Sequence, residues 1–99
     1  NQCSTFAVTN DEAVFMGRNY DMYYRFKPYL ESYLTMLKKG YWSFGHTDIF
    51  VGREDGVNEK GLAVAMSGSV EYISLGIGFP IASRYILDKC VSVKETSRF

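Results

Sequence analysis

Two runs of strand-forming residues on either side of a short polar turn constrain this chain more than anything else in it. Ser4-Thr5-Phe6-Ala7-Val8-Thr9 is dense in β-branched and aromatic side chains, Asn10-Asp11-Glu12 is turn chemistry, and the apolar run resumes from Ala13 to Gly17. That pattern predicts a β-hairpin. Its consequence is positional. Cys3 falls at the open end of the first strand, close to where the second strand exits at Arg18 and Asp21.

The hairpin belongs to a short chain of 99 residues. That length suits one domain, residues 1–99, with a thin core. Hydrophobic residues at 46% and charged residues at 22% are ordinary for a folded domain and argue against disorder. Eleven Lys plus Arg balance eleven Asp plus Glu, which argues against a nucleic-acid partner held by bulk charge. No apolar run approaches a bilayer span, and no basic start leads into a hydrophobic stretch. Neither a membrane nor a secretory signal is therefore expected, and the expected location is cytoplasmic. Two cysteines, Cys3 and Cys90, are too few for a disulfide-rich secreted scaffold. Two readings of them stay open: a single Cys3–Cys90 bridge, or one inert buried cysteine and one of chemical interest.

Further along, Tyr29, Leu30, Tyr33, Leu34 and Leu37 fall on one helical stripe, and the periodicity predicts a helix over 29–37. The Tyr, Leu and Thr content, with Lys38-Lys39-Gly40 before Tyr41-Trp42-Ser43-Phe44, also suits a hairpin. Asp55-Gly56 and Asn58-Glu59-Lys60-Gly61 read as turns, and Leu62 to Met66 as a short buried strand. Pro80 fits the first position of a helix whose inward face is Ala82, Ile86, Cys90 and Val93. Cys90 on that face is a small buried hydrophobe. Ser92 with Glu95 forms a capping-box pattern that starts a second helix. A helix stopped at Phe99 after little more than a turn rarely stands alone, so the chain reads as part of a longer one.

Chemistry concentrates near Cys3. Were Asn1-Gln2 removed, Cys3 would carry a free α-amine, and one residue would supply both nucleophile and base. Reference acidities of an α-amine and a thiol lie so close that proton transfer between them costs only about 1 kcal/mol, and a nearby guanidinium favours the thiolate further. Arg18-Asn19-Tyr20-Asp21 supplies that guanidinium and a carboxylate, unless Arg18 and Asp21 are merely a solvated surface pair. His46, the one histidine, lies in Gly45-His46-Thr47-Asp48, which reads as loop; nothing sets it beside either cysteine as a Cys–His pair. No His/Cys cluster has metal-ligand spacing. Gly76-Ile77-Gly78 lacks the third glycine and acidic partner of a dinucleotide loop, and reads as a turn into the helix.

Three segments taken together resemble one family: Cys3-Ser4-Thr5-Phe6-Ala7 followed by Gly17-Arg18-Asn19-Tyr20-Asp21; Asp55-Gly56-Val57-Asn58-Glu59-Lys60-Gly61-Leu62-Ala63-Val64; and the helix Ser83 to Cys90 with its capped successor. They are similar to the choloylglycine hydrolase and penicillin acyltransferase-like group of N-terminal-nucleophile hydrolases, the linear amide C–N hydrolases. The resemblance implies an α+β fold, the N-terminal part of an αββα sandwich in which antiparallel strands are followed by helices. It also turns Tyr29–Phe44 from helix into a strand pair. By that similarity the catalytic residues are Cys3 as nucleophile, Arg18 stabilising its thiolate and Asp21 contacting the freed α-amine. The family's later catalytic asparagine and arginine would lie beyond Phe99. Its bile-salt branch has an oxyanion-hole asparagine where this chain reads Met66-Ser67-Gly68, so other donors would be needed.

The reaction implied is hydrolysis or transfer of a small-molecule amide, an acyl-amine or N-acyl amino acid, with no cofactor and no metal. Tyr20, Tyr23, Tyr24 and Phe26 would line an apolar acyl pocket, or else form core or interface. The alternative is a non-catalytic small α+β module that binds a partner through its aromatic surface. An incomplete sandwich also leaves a sheet edge and a helix face open, so it should associate, as a homo-oligomer, or be poorly stable.

Overall fold

The computed structural model describes residues 3–21, 24–47, 51–67 and 76–97. The hairpin forms as expected. β1 (Ser4–Thr9) runs antiparallel to β2 (Val14–Asn19), with Thr9 against Val14 at the turn and Ser4 against Asn19 at the open end. Asn10 closes the turn, its Oδ1 accepting from the backbone N–H groups of Glu12 and Ala13 at 2.8 and 2.9 Å. Strand alternation gives the hairpin two faces. Thr5 and Ala7 share one with Met16 and Arg18, an alternation that extends to Cys3 and Tyr20 just beyond the strands, and Phe6, Val8 and Phe15 lie on the other.

A 3₁₀ helix, Tyr24–Tyr29, leads into a four-stranded antiparallel meander of β3 (Glu31–Thr35), β4 (Ser43–Thr47), β5 (Asp55–Asn58) and β6 (Ala63–Ala65). The helix predicted from the stripe at 29–37 does not form. Residues 31–35 are extended and pair with 43–47, the strand pair that the resemblance implies. Arg53 supplies a physical reason. Its guanidinium lies 4.9 Å from the Tyr33 ring centre and donates to Thr35 Oγ1 at 2.7 Å. Residues two apart share a face in a strand but not in a helix. Burial, helped by the neighbouring Arg84 charge, holds this guanidinium below its ordinary pKa.

Asp55-Gly56 is strand as well, not turn. Gly56 stands across from Gly45. A Cβ on Gly45 would lie 2.3 Å from the Asp55 carbonyl oxygen, and one on Gly56 would lie 2.8 Å from Leu87 Cδ1. Glycine serves close approach here. The turn at 58–61 does form, with Gly61 at φ 84°. β6 is half-exposed at the sheet edge rather than the buried strand expected over 62–66; Leu62 is buried but Ala63 is exposed.

α1 (Phe79–Lys89) begins after Gly78, one residue before the expected start, with Pro80 second in its first turn. Its inward face is Ser83, Leu87 and Cys90, with Ala82 and Ile86 half-buried and Val93 76% exposed. The expected stripe fails at Val93 because Cys90 already has extended backbone as the C-cap, so helical spacing stops there. α2 (Val93–Thr96) starts where the capping pattern predicts, Ser92 Oγ accepting from Glu95 N–H at 3.1 Å.

The meander carries different residues on its two faces. Ser43, Gly45, Gly56 and Asn58 are buried on the side of α1, whereas Phe44, His46, Asp55 and Val57 alternate onto the side of the hairpin. Helix, sheet and hairpin are stacked in that order, an α+β arrangement in which antiparallel strands precede helices. No helix of the described residues is long and apolar enough to cross a membrane.

Candidate active site

A cleft of about 400 Å³ separates the hairpin from the sheet. Met16 and Arg18 of one β2 face, with Tyr20 just past the strand, line it on one side; Leu30, Phe44, His46 and Val57, with residues 54–56, line it on the other. Period-two alternation makes this possible, since every β2 contributor is an even-numbered residue facing the same way.

Arg18 crosses the gap. Its Nε donates to Asp55 Oδ2 at 3.3 Å, and His46 Nδ1 lies 2.7 Å from Asp55 Oδ1. His46 and Asp55 are direct cross-strand partners. The Arg18 and Asp55 side chains are 10% and 8% exposed, His46 43%. A carboxylate so far out of water is tolerable because each oxygen has its own donor. Arg18 Nη1 donates to the Asn19 carbonyl oxygen at 3.3 Å, and the guanidinium carbon lies 5.5 Å from the Tyr20 ring centre. Arg18 Nη2 is buried and makes no hydrogen bond among the described residues.

Cys3 is half-buried and free, with Sγ 3.9 Å from the Asp21 carbonyl oxygen. Cys90 is free and buried, so the two cysteines form no bridge. The hairpin thus brings Cys3, Arg18 and Asp21 to its open end, with Arg18 on the Cys3 face and Asp21 exposed. A solvated surface pair does not describe Arg18, which is buried against Asp55. His46 lies on β4 rather than in a loop, and its ring bonds Asp55 instead of facing a cysteine. Of the aromatic run, Tyr20 lines the cleft, while Tyr24 is 81% exposed with Lys27 Nζ 5.4 Å from its ring centre. Tyr23 and the Phe26 side chain lie outside the described residues, as do Asn1, Gln2 and Gly68.

Asp55 is the residue that sequence reasoning missed. Asp-Gly is turn chemistry, and its partner Arg18 stands 37 positions away. The available signal was weak: Asp is disfavoured in strands, so one placed inside a sheet needs a cation.

Residues 8–99 match the family model of acyl-coenzyme A:6-aminopenicillanic acid acyl-transferase. The chain belongs to this family. The matched range takes in Arg18, Asp21 and Asp55 and begins after Cys3. No curated protein and no solved structure shows significant similarity to the chain. Membership establishes the resemblance to the choloylglycine hydrolase and penicillin acyltransferase-like group, and with it an acyltransferase-like enzyme class. The antiparallel sheets followed by helices agree with the N-terminal part of that group's fold.

Proposed function

We propose that the protein cleaves a linear amide C–N bond by acyl transfer through Cys3, once Asn1-Gln2 are removed. The observation that supports this best is the hairpin register: continued one residue before Ser4, its alternation carries Cys3 on the same face as Arg18, and that face borders a cleft with apolar walls. The Cys3 thiol gives its proton to its own α-amine, and Arg18 stabilises the resulting thiolate. Sulfur attacks the amide carbonyl carbon, and a tetrahedral intermediate forms. As the C–N bond breaks, the α-ammonium protonates the leaving amine, and a Cys3 thioester remains. Water then yields the acid, or a second amine takes the acyl group. Asp21, exposed beside Cys3, contacts the α-ammonium. Met16, Leu30, Phe44 and Val57 suit the apolar part of an acyl-amine or N-acyl amino acid.

The test is the intact mass and N-terminal sequence of the full-length protein, with and without brief iodoacetamide treatment. A mature chain that starts at Cys3 and is alkylated there fast at neutral pH is the expected result. An unprocessed start with slow alkylation would remove the base from the mechanism. It would favour a non-catalytic binding module instead.

A further inference from the structure

Resting on that reading, we propose that Asp55 is a positioning residue that fixes the Arg18 guanidinium for its work at Cys3, and that His46 fixes Asp55 in turn. The juxtaposition is specific. Asp55 is held in two directions, by His46 from its own sheet at 2.7 Å and by Arg18 from the hairpin at 3.3 Å. It engages Arg18 through Nε, and the Asn19 carbonyl takes Nη1. With a guanidinium's planar fork fixed at those two nitrogens, the direction of the third is set. That third nitrogen, Nη2, is a buried donor that makes no hydrogen bond among the described residues. Native proteins leave few such donors empty, and each calls for an explanation, a catalytic role among them. Arg18 lies on the Cys3 face of β2, and a thiolate formed when the α-amine is freed supplies the missing acceptor.

Other charges bear on the same place. Glu54 also lines the cleft, and Asp21 is exposed at the hairpin end. Asp55 differs from both in bridging the two sheets. It answers to His46 because the pair sits at one cross-strand position, where side chains are nearest neighbours.

The experiment compares iodoacetamide labelling of Cys3 and Cys90 by peptide mass spectrometry in the processed full-length protein and three variants. Cys90, 4% exposed, reports loss of the fold. Asp55→Asn turns one oxygen into a donor and sets it against Nε–H or Nδ1–H. It should slow Cys3 labelling about tenfold, within the roughly hundredfold that a 1 Å misplacement of reacting groups can cost, while Cys90 stays silent. His46→Leu should slow Cys3 labelling in the same sense. His46→Asn, whose Nδ2 is attached to Cγ as Nδ1 is in histidine, should restore the wild-type rate. Wild-type Cys3 rates in Asp55→Asn and His46→Leu, with Cys90 silent, would overturn the proposal. If Asp55→Asn exposes Cys90, the contrast between His46→Leu and His46→Asn decides: rescue supports the proposal, and equal rates overturn it. Slow labelling of Cys3 in the processed wild type itself would instead overturn the catalytic reading, and this one with it.

Discussion

Asn58 bonds four backbone groups with one amide. Its Nδ2 donates to the carbonyl oxygens of Leu87 and Cys90 at 3.0 and 2.8 Å, and its Oδ1 accepts from the N–H groups of Lys60 and Leu62, both at 3.0 Å. The last carbonyls of a helix have no partner within it, so the side chain finishes α1 and shapes the 58–61 turn at once. Only an amide donates and accepts this way; a carboxylate would face two carbonyls with no proton to give. Asn58→Asp should therefore lower stability by about 2–4 kcal/mol, measured as a fall in urea midpoint at constant slope. A loss below about 0.5 kcal/mol, the range of neutral surface changes, would refute this account. The sequence made half of the role legible. Asn58 reads as a turn residue from its neighbours, but the helix end it caps is 29 to 32 positions away, and one sequence carries no sign of that meeting.

At the scale of elements, local pattern succeeded where an element answers to its own neighbours. The β1–β2 hairpin and the Ser92 cap are both short-range, and both form. It failed over 29–37, where a helical stripe is real but Tyr33 and Thr35 are claimed together by Arg53 from outside the segment. It failed again at Gly56, whose bare Cα admits Leu87 of α1. This contact yields a contrast between two glycines. A Cβ on Gly45 meets the backbone oxygen of Asp55 at 2.3 Å, whereas one on Gly17 meets the Phe6 ring at 2.1 Å. Phe6 is 65% exposed and its ring can swing aside; a paired strand cannot. Gly45→Ala should cost about 1–3 kcal/mol as overpacking, and Gly17→Ala less than about 1 kcal/mol. Thermal melts of the two variants check this, and equal losses would contradict it.

Across the whole molecule, the layers are unequally covered. The sheet has α1 on one side and the hairpin on the other, but the outer hairpin face leaves Phe6, Val8 and Phe15 at 65%, 53% and 60% exposure. Apolar strand surface of this kind promotes association. The 99-residue chain, prepared as such, should sediment as a concentration-dependent mixture, and Phe15→Glu should shift it toward monomer. A single species at every concentration would show that the face is not adhesive. The architecture was legible in the hairpin signature and the resemblance together. The cleft was not, because it depends on one cross-layer ion pair between a residue assigned to the Cys3 thiolate and a residue read as turn.

That ion pair also governs how the molecule comes apart. Among the described residues the hairpin packs extensively on no other element, so the strand next to Cys3 is fastened by a charged joint rather than by buried apolar area. Regions that bury least open first. The hairpin can therefore lift from the sheet while β4 and β5 stay closed beneath Leu87, and assembly of the reacting end becomes a step separate from folding of the core.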